Sequence, residues 1–386
     1  MTTSSFQRMA TLRLPVKSCF VLLVFITVAV LVIYYVSNTH LQLTKDWLSK
    51  VSNNIHSYYI KQPVRIVPPP PRHHQTVKQG TLNGTNVART TTDSNVTEVL
   101  RKSTSSVPSI RYHEAYPRNY HFILDEPNIC KQEKPFLVLM VPVAPHELEA
   151  RKAIRSTWGN VSVVRGKTVR VLFSLGRPGI KDAEAQQRQL NLESKKYHDL
   201  IQSDFLDTYL NLTIKTMVIM DWLATRCPNA TYAMKVDSDM FLNVENLMSM
   251  LLASNTPKEN YMTGMVMWNR PVIRDPASKW YVPKKLYDKD YYPTYLLGMG
   301  YVFSNDLPKK LVEASKEIKP FNIEDAYIGA CLDKLHIVPS NPPDASKFKA
   351  YFNGKYDRKE FQRVITTILS SPQQLIDFWQ DSRRPT

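Results

Sequence analysis

The feature that most constrains this chain is an uninterrupted apolar run near its start. Cys19 to Val36 reads Cys-Phe-Val-Leu-Leu-Val-Phe-Ile-Thr-Val-Ala-Val-Leu-Val-Ile-Tyr-Tyr-Val, eighteen residues without a charge. As a helix it spans about 27 Å, close to the roughly 30 Å thickness of a bilayer's hydrocarbon core. It shows no polar face, which argues against a buried helix of a soluble domain. Tyr34 and Tyr35 stand where an interfacial aromatic belt is expected. A cleaved leader has a shorter apolar core, about 7–15 residues, and small residues at its cleavage site. Here Tyr-Tyr-Val-Ser-Asn follows, so the run is read as an uncleaved signal-anchor.

Arg8, Arg13 and Lys17 precede the run, while Lys45 and Lys50 follow closely. The excess of one favours a cytosolic N-terminus. Five glycosylation sequons lie beyond the run, at Asn83, Asn95, Asn160, Asn211 and Asn229. Together they point to a luminal body. The chain therefore divides into a cytosolic tail (1–17), a transmembrane signal-anchor (18–37), a luminal stem (38–115) and a luminal body (116–386). The stem holds Pro68-Pro69-Pro70-Pro71, Thr90-Thr91-Thr92 and Ser103-Thr104-Ser105-Ser106, a composition of extended and flexible chain.

Of the +16 net charge on 386 residues, +3 lies in the tail, +6 in the stem and only +7 in the body, where it is dispersed. That distribution speaks against a nucleic-acid partner. Cysteines are few. Cys19 falls in the apolar run, and Cys130, Cys227 and Cys331 allow at most one internal disulfide. A hydrophobic core, not a disulfide framework, must hold the body together.

Within the body, apolar runs at 136–141, 169–175 and 232–236 predict strands. The stretches 147–157, 183–197, 210–225, 244–253 and 325–335 predict helices. Such alternation implies an α/β class with a largely parallel sheet. Ligands in these folds lie beyond the carboxyl ends of the strands. Asp237-Ser238-Asp239 sits at one such end. Two carboxylates so close can hold a hard cation, Mn²⁺ or Mg²⁺, and through it a diphosphate. The Met240-Phe241-Leu242 that follows excludes an EF-hand. A second acidic pair, Glu324-Asp325, opens a predicted helix. Its carboxylates either serve the helix dipole or supply a general base. Between the two pairs the aromatics are dense, with Trp268, Trp280, Tyr281, Tyr291, Tyr292, Tyr295 and Tyr301. Their flat faces suit sugar rings. Gly298-Met299-Gly300 is expected to form a tight turn.

Taken in order, several segments resemble the Golgi β1,3-galactosyltransferases. They are Glu149-Ala-Arg-Lys-Ala-Ile-Arg-Ser-Thr-Trp-Gly159, Asp207-Thr-Tyr-Leu-Asn-Leu-Thr-Ile-Lys-Thr216, Lys235-Val-Asp-Ser-Asp-Met-Phe-Leu-Asn243, Lys279-Trp-Tyr-Val-Pro283, Gly298-Met-Gly-Tyr-Val-Phe-Ser304 and Glu324-Asp-Ala-Tyr-Ile-Gly329. The family also includes N-acetylglucosaminyl- and fringe-type enzymes. The resemblance covers roughly 120–380. It implies a GT-A-type domain, a UDP-sugar donor, Mn²⁺ and inversion at the anomeric carbon. It makes Asp325 the catalytic base, Asp239 a metal ligand, and Asp237 a ligand of metal or ribose. Arg151, Arg155 and Trp158 are placed at the donor end, and Glu324 is a neighbour of the base. Trp268, Trp280 and Tyr281 are candidates for the acceptor side.

This chain departs from the family at three points. Leu296-Leu297 stands where the family usually has Cys-Ser. The segment 351–356 lacks a cysteine common in galactosyl members. Ile368 occupies the place of a histidine expected to bind metal. Since Cys331 matches a family cysteine, the resemblance leaves Cys130–Cys227 as the bridge. For the metal, either Asp239 and diphosphate oxygens suffice, or another residue substitutes, or affinity is reduced. The expected activity is transfer of galactose from UDP-galactose to the 3-hydroxyl of a terminal sugar, GlcNAc first, in the Golgi membrane. The alternatives are an N-acetylglucosaminyltransferase and a non-catalytic luminal partner on the same scaffold.

Overall fold

Val138 and Met140 face one apolar cluster, while Leu137, Leu139 and Val141 face another, and all five are fully buried. That alternation within an all-apolar strand is the signature of a sheet covered on both faces. The computed structural model describes residues 119–179, 182–350 and 355–384. All of these belong to the unit Arg101–Thr386. The apolar run at 19–36, the stem, and the sequons at Asn83 and Asn95 lie outside the described residues. Among the described residues no helix is long and apolar enough to cross a membrane.

The central strands are β1 (Phe122–Leu124), β2 (Leu137–Pro142), β4 (Lys167–Arg177), β5 (Leu200–Leu206), β6 (Tyr232–Val236), β8 (Met262–Met267) and β9 (Tyr295–Ser304). They run in the order β1-β5-β4-β2-β6-β9-β8, and a short β3 (Val163–Val164) pairs with β4. Strands β5, β4, β2 and β6 are parallel. The additions at the sides, β1, β9, β8 and β3, are all antiparallel. The sheet is thus mixed, and the expectation of a largely parallel one holds only for its centre. A separate ribbon pairs β7 (Met240–Leu242) with β10 (Thr366–Ile368).

Helices cover both faces. On one side lie α2 (Leu148–Arg155), α3 (Ala183–Tyr197), α5 (Val244–Leu251), α9 (Pro372–Ser382) and the β7–β10 ribbon. On the other lie α4 (Leu212–Arg226), α6 (Leu307–Ser315) and α7 (Glu324–Lys334). Two short helices complete the set, α1 (Ile129–Glu133) and α8 (Arg358–Arg363). Local chemistry starts several of them. Ser371 caps α9 through Gln374 N–H, with Pro372 at the first helical position. Asn243 caps α5 through Asn246 N–H.

The bridge implied by the family resemblance is present: Cys130 and Cys227 are bonded with their Cα atoms 5.2 Å apart. It ties α1 to the end of α4 across 97 residues of sequence, a closure worth on the order of 4 kcal/mol in the chain-entropy account. Cys331, buried in α7, takes no part in it.

From β2 the chain moves outward to β4 and β5, then returns to the other side of β2 as β6. That reversal opens a crevice between the loops leaving β2 and β6. A buried ion pair pins the strand ends around it. Lys215 Nζ lies 2.7 Å from Asp207 Oδ1 and donates to Val143 O at 3.2 Å. Gly176 N–H donates to Asp207 Oδ2 at 2.8 Å.

Candidate active site

Strand β6 delivers the first acidic motif to the crevice. Its last residue, Val236, pairs with Gly300 of β9. Asp237 N–H continues the ladder to Met299 O at 2.9 Å. Beyond it the chain turns, Met240 N–H donating to Asp237 O at 3.3 Å, and enters β7. The C-terminal ribbon holds this turn in place. Ile368 pairs with Met240, and Leu369 N–H donates to Asp239 O at 2.8 Å. Trp158, fully buried, braces the same point through Nε1–H to Met240 O at 3.0 Å.

The second motif arrives from the other side on α7. Asp325 Oδ2 accepts from Gly298 N–H at 3.0 Å, and Oδ1 accepts from Ala326 N–H at 2.8 Å. Between the motifs stands Lys235, a lysine within an otherwise apolar strand. Its Nζ lies 2.7 Å from Asp237 Oδ1 and 3.4 Å from Glu324 Oε2, and it also donates to Gly298 O. Tyr301, the β9 partner of Lys235, donates its hydroxyl to Glu324 Oε1 at 2.7 Å. The two acidic clusters, 86 residues apart from Asp239 to Asp325, therefore meet around one peptide group, that of Gly298.

Gly298 and Gly300 do not form the expected turn. Both lie inside the extended strand β9, with no positive φ. Glycine at 298 allows a close approach: a Cβ there would meet Glu324 Oε2 at 3.0 Å and Asp325 Oδ2 at 3.4 Å.

The electrostatics mark the two aspartates. Asp239 is accessible to solvent yet ringed by protein, as a residue on a crevice floor is. That surrounding protein raises its carboxyl to about 7, with Asp237 and then Glu147 adding like charge. Asp325 is likewise raised to about 7, by burial first and the Glu324 carboxylate second. The Gly298 and Ala326 amides and Lys235 pull the other way. Burial works against the Lys235 ammonium, but Asp237 and Glu324 outweigh it and hold it charged well above neutrality.

Arg151 and Arg155, expected at a diphosphate, are engaged within the protein. Arg151, 1% exposed, clasps Glu193 with Nε and Nη2, each at 2.8 Å. Its guanidinium also donates to Ala144 O and Pro145 O, in the loop that leaves β2. Arg155 pairs with Asp199 at 2.7 and 2.8 Å and with Glu193 at 2.7 Å. Trp158 has no exposed face. These three residues shape the crevice wall from behind.

The aromatic candidates separate. Trp268 and Trp280 are 54% and 47% exposed in the segment that joins β8 to β9, and Tyr281 is half-buried there. Tyr292, Tyr295 and Tyr301 are buried packing residues. Of the described sequons, Asn160 and Asn229 are exposed, whereas Asn211 donates its side-chain amide to Leu206 O at 2.8 Å. A shallow cavity of about 600 Å³ bordered by Asn260, Lys310 and His336 carries none of this chemistry.

Among the described residues no group of three or more His, Cys, Asp or Glu side chains is gathered as a metal cage. The residues nevertheless suit a hard divalent ion. Asp237 and Asp239 supply only oxygen donors, and their like charges at one turn are what a cation relieves. Ile368, beside that turn in β10, offers no donor.

A family model described as Galactosyltransferase matches residues 149–343. The chain belongs to the galactosyltransferase family. It is 41% identical over 304 residues to Beta-1,3-galactosyltransferase 2 of Homo sapiens, covering 75% of this chain and 71% of that one. To Beta-1,3-galactosyltransferase 1 of Mus musculus it is 39% identical over 275 residues, 71% of this chain and 82% of the other. The expectation of a β1,3-galactosyltransferase agrees with these relatives. Sequence reasoning did not single out Lys235, and it read Tyr301 as one of the aromatics suited to a sugar face, whereas Tyr301 is buried and bonded to Glu324. The available signal was a lysine two residues before Asp237, and hence on the same side of the strand.

Proposed function

We propose that this galactosyltransferase moves galactose from UDP-galactose to the 3-hydroxyl of a terminal sugar, GlcNAc first, on glycoprotein or glycolipid glycans, with inversion at the anomeric carbon. The observation that supports it is the convergence on the Gly298 peptide of Asp325, directly, and of Asp237, through Lys235, at the carboxyl end of β6, with Asp239 two residues on in the same turn. Asp325 is the general base. A carboxyl raised to about 7 is ionised enough near neutrality to take a proton, and basic enough to hold it. As the acceptor oxygen bonds to C1 of the donor sugar, the C1–O bond to UDP breaks and the hydroxyl proton passes to Asp325.

Asp239 and Asp237 would hold Mn²⁺ or Mg²⁺. Such an ion supplies positive charge where the leaving diphosphate gathers negative charge. Trp268, Trp280 and Tyr281 offer aromatic faces to the acceptor sugar. The reading also carries a GT-A-type domain, and a type II Golgi placement through residues 18–37 with sequons exposed to the lumen.

The test is the purified full-length chain assayed with a panel of UDP-sugars, with and without chelator. Turnover of UDP-galactose that chelator abolishes is the expected result. Turnover of UDP-GlcNAc alone moves the chain to the N-acetylglucosaminyl branch. Absence of UDP binding at millimolar nucleotide by calorimetry favours the non-catalytic partner.

A further inference from the structure

We propose that Lys235, Glu324 and Tyr301 form a positioning network that sets the base Asp325 against the donor-side aspartates by gripping the Gly298 peptide from both sides. The inference rests on the reading of Asp325 as the base. Its ground is a closed set of contacts. The Gly298 N–H is held by Asp325, and the Gly298 carbonyl is held by Lys235. Lys235 is anchored in turn by Asp237 on its own strand and Glu324 on α7. Glu324 is fixed by Tyr301 from β9. Three elements, β6, β9 and α7, are locked to one another at a single peptide.

The count of donors decides how Lys235 acts. An ammonium has three N–H groups and no acceptor. Asp237, Gly298 O and Glu324 supply three acceptors to a side chain that is 5% exposed. Lys235 thus has no proton left for a phosphate or a sugar, and it is a positioning residue. Glu324 is a positioning residue by its burial and its partners. One of its oxygens faces Tyr301 and the other Lys235, in a helical first turn where it is 8% exposed. Gly298 completes the arrangement, because a side chain there would enter the space that Glu324 and Asp325 occupy. The network makes the distance between base and donor a property of the sheet and not of a loop.

The test compares wild type, Glu324→Gln and Tyr301→Phe in the full-length chain. Tyr301→Phe is isosteric and keeps a foldable variant in hand. Three quantities are read: kcat with UDP-galactose, UDP affinity in Mn²⁺ by calorimetry, and amide hydrogen exchange in the segment 295–300. Glu324→Gln is expected to lower kcat about 100-fold, within the range a general base contributes. UDP affinity should stay within about threefold, and exchange at 295–300 should rise about tenfold or more, with exchange in β2 unchanged. Tyr301→Phe should do the same more weakly, about 3–10-fold in kcat, the loss of one neutral-to-charged hydrogen bond.

A pH profile adds a readout that a purely structural role does not move. The titratable groups around Asp325 are Glu324 on its own helix, Lys235 and Asp237 on the β6 side, and Tyr292, Tyr295 and Tyr301 from β9 and its approach. Removing the Glu324 charge should shift the acid limb of kcat to lower pH.

Unchanged exchange with reduced kcat overturns the proposal, since the effect then bypasses Gly298. Raised exchange with unchanged kcat overturns it as well, and so does UDP affinity falling in step with kcat. If wild type shows no turnover of UDP-galactose, the donor assignment fails separately, and exchange in the variants alone decides whether the network holds the base.

Discussion

Two groups of acidic residues, one on each side of the crevice wall, behave in opposite ways. Behind the wall, Glu193 and Asp199 meet Arg151 and Arg155, and every carboxylate oxygen has a guanidinium within 2.8 Å. Burial alone would raise the Glu193 carboxyl, but hydrogen bonds from Arg151 and then Arg155 outweigh it and hold Glu193 below its ordinary range. On the crevice floor, Asp239 and Asp325 face like charge and are raised to about 7. The residue types match, yet one set is satisfied and the other is strained toward accepting a proton or a cation. Buried carboxylates met by opposite charge build structure, and charge left facing its own sign marks chemistry.

The largest effect that sharpens this contrast is expected from Asp325→Asn. The amide keeps the shape but cannot take a proton, so kcat should fall about 10²–10⁴-fold. The unfolding midpoint should move far less than the rate, because losing one acceptor for a backbone amide offsets removing a carboxylate whose ionised form burial disfavours. Full activity in this variant would remove the base from the floor of the crevice.

Behind the wall the effect should fall on stability. Arg151→Leu strands Glu193 in the interior, at a cost of about 3–5 kcal/mol, read by denaturant unfolding. The double variant with Glu193→Gln should recover a large part of that loss. Should Arg151→Leu instead weaken UDP binding at unchanged stability, the cluster belongs to the donor site and the contrast breaks.

Much of this arrangement was legible in the sequence. Strands 136–141 and 232–236 and helix 183–197 were marked by local apolar pattern, and they stand within a residue or so of the expected bounds. The first and second acidic motifs were legible as oxygen-rich segments at a strand end and a helix start. Strand β9 was not, because Gly298 and Gly300 break the pattern of a strand. The reason for Gly298 lies 26 residues away, in the carboxylates of α7, while Gly300 faces Met234 of the neighbouring strand. The engagement of Arg151 was hidden in the same way, since its partner Glu193 lies 42 residues on, in a helix whose composition reads as exposed. Local pattern records the periodicity of an element. It does not record which distant charge an element will meet.

Opposite perturbations predict opposite pH responses. Glu193, depressed in the fold, contributes stability above the ordinary glutamate range and loses it as pH falls through its lowered value. Asp325, raised from an ordinary 3.8 to about 7, binds its proton more tightly folded than unfolded, so its contribution declines as pH rises from about 4 to 7. Activity reports Asp325 most directly. Below about pH 7, kcat should fall toward tenfold per unit as the base is protonated, whereas an ordinary aspartate would sustain the rate to about pH 4. A rate constant that stays flat down to pH 5 would place Asp325 in a more polar setting than the one described.

The smallest predicted effect probes the point where the two motifs touch. Gly298→Ala introduces a methyl group whose carbon would lie 3.0 Å from Glu324 Oε2 and 3.4 Å from Asp325 Oδ2. Neither contact is with backbone, so side-chain shifts of a few tenths of an ångström can relieve it, and extended backbone tolerates alanine. The fold should lose about 1 kcal/mol or less, within the range of ordinary overpacking. Catalysis should lose more than stability does, about tenfold in kcat, because a small displacement of the base is felt in the approach geometry of the acceptor. Gly300→Ala is the matched control on the same strand. Its nearest neighbour would be the flexible Met234 Cε at 3.2 Å, and no carboxylate lies among its closest contacts. If both alanine variants reduce kcat equally, the sensitivity belongs to strand β9 as a whole. If only Gly298→Ala does, it belongs to the single peptide that joins the donor-side aspartates to the base.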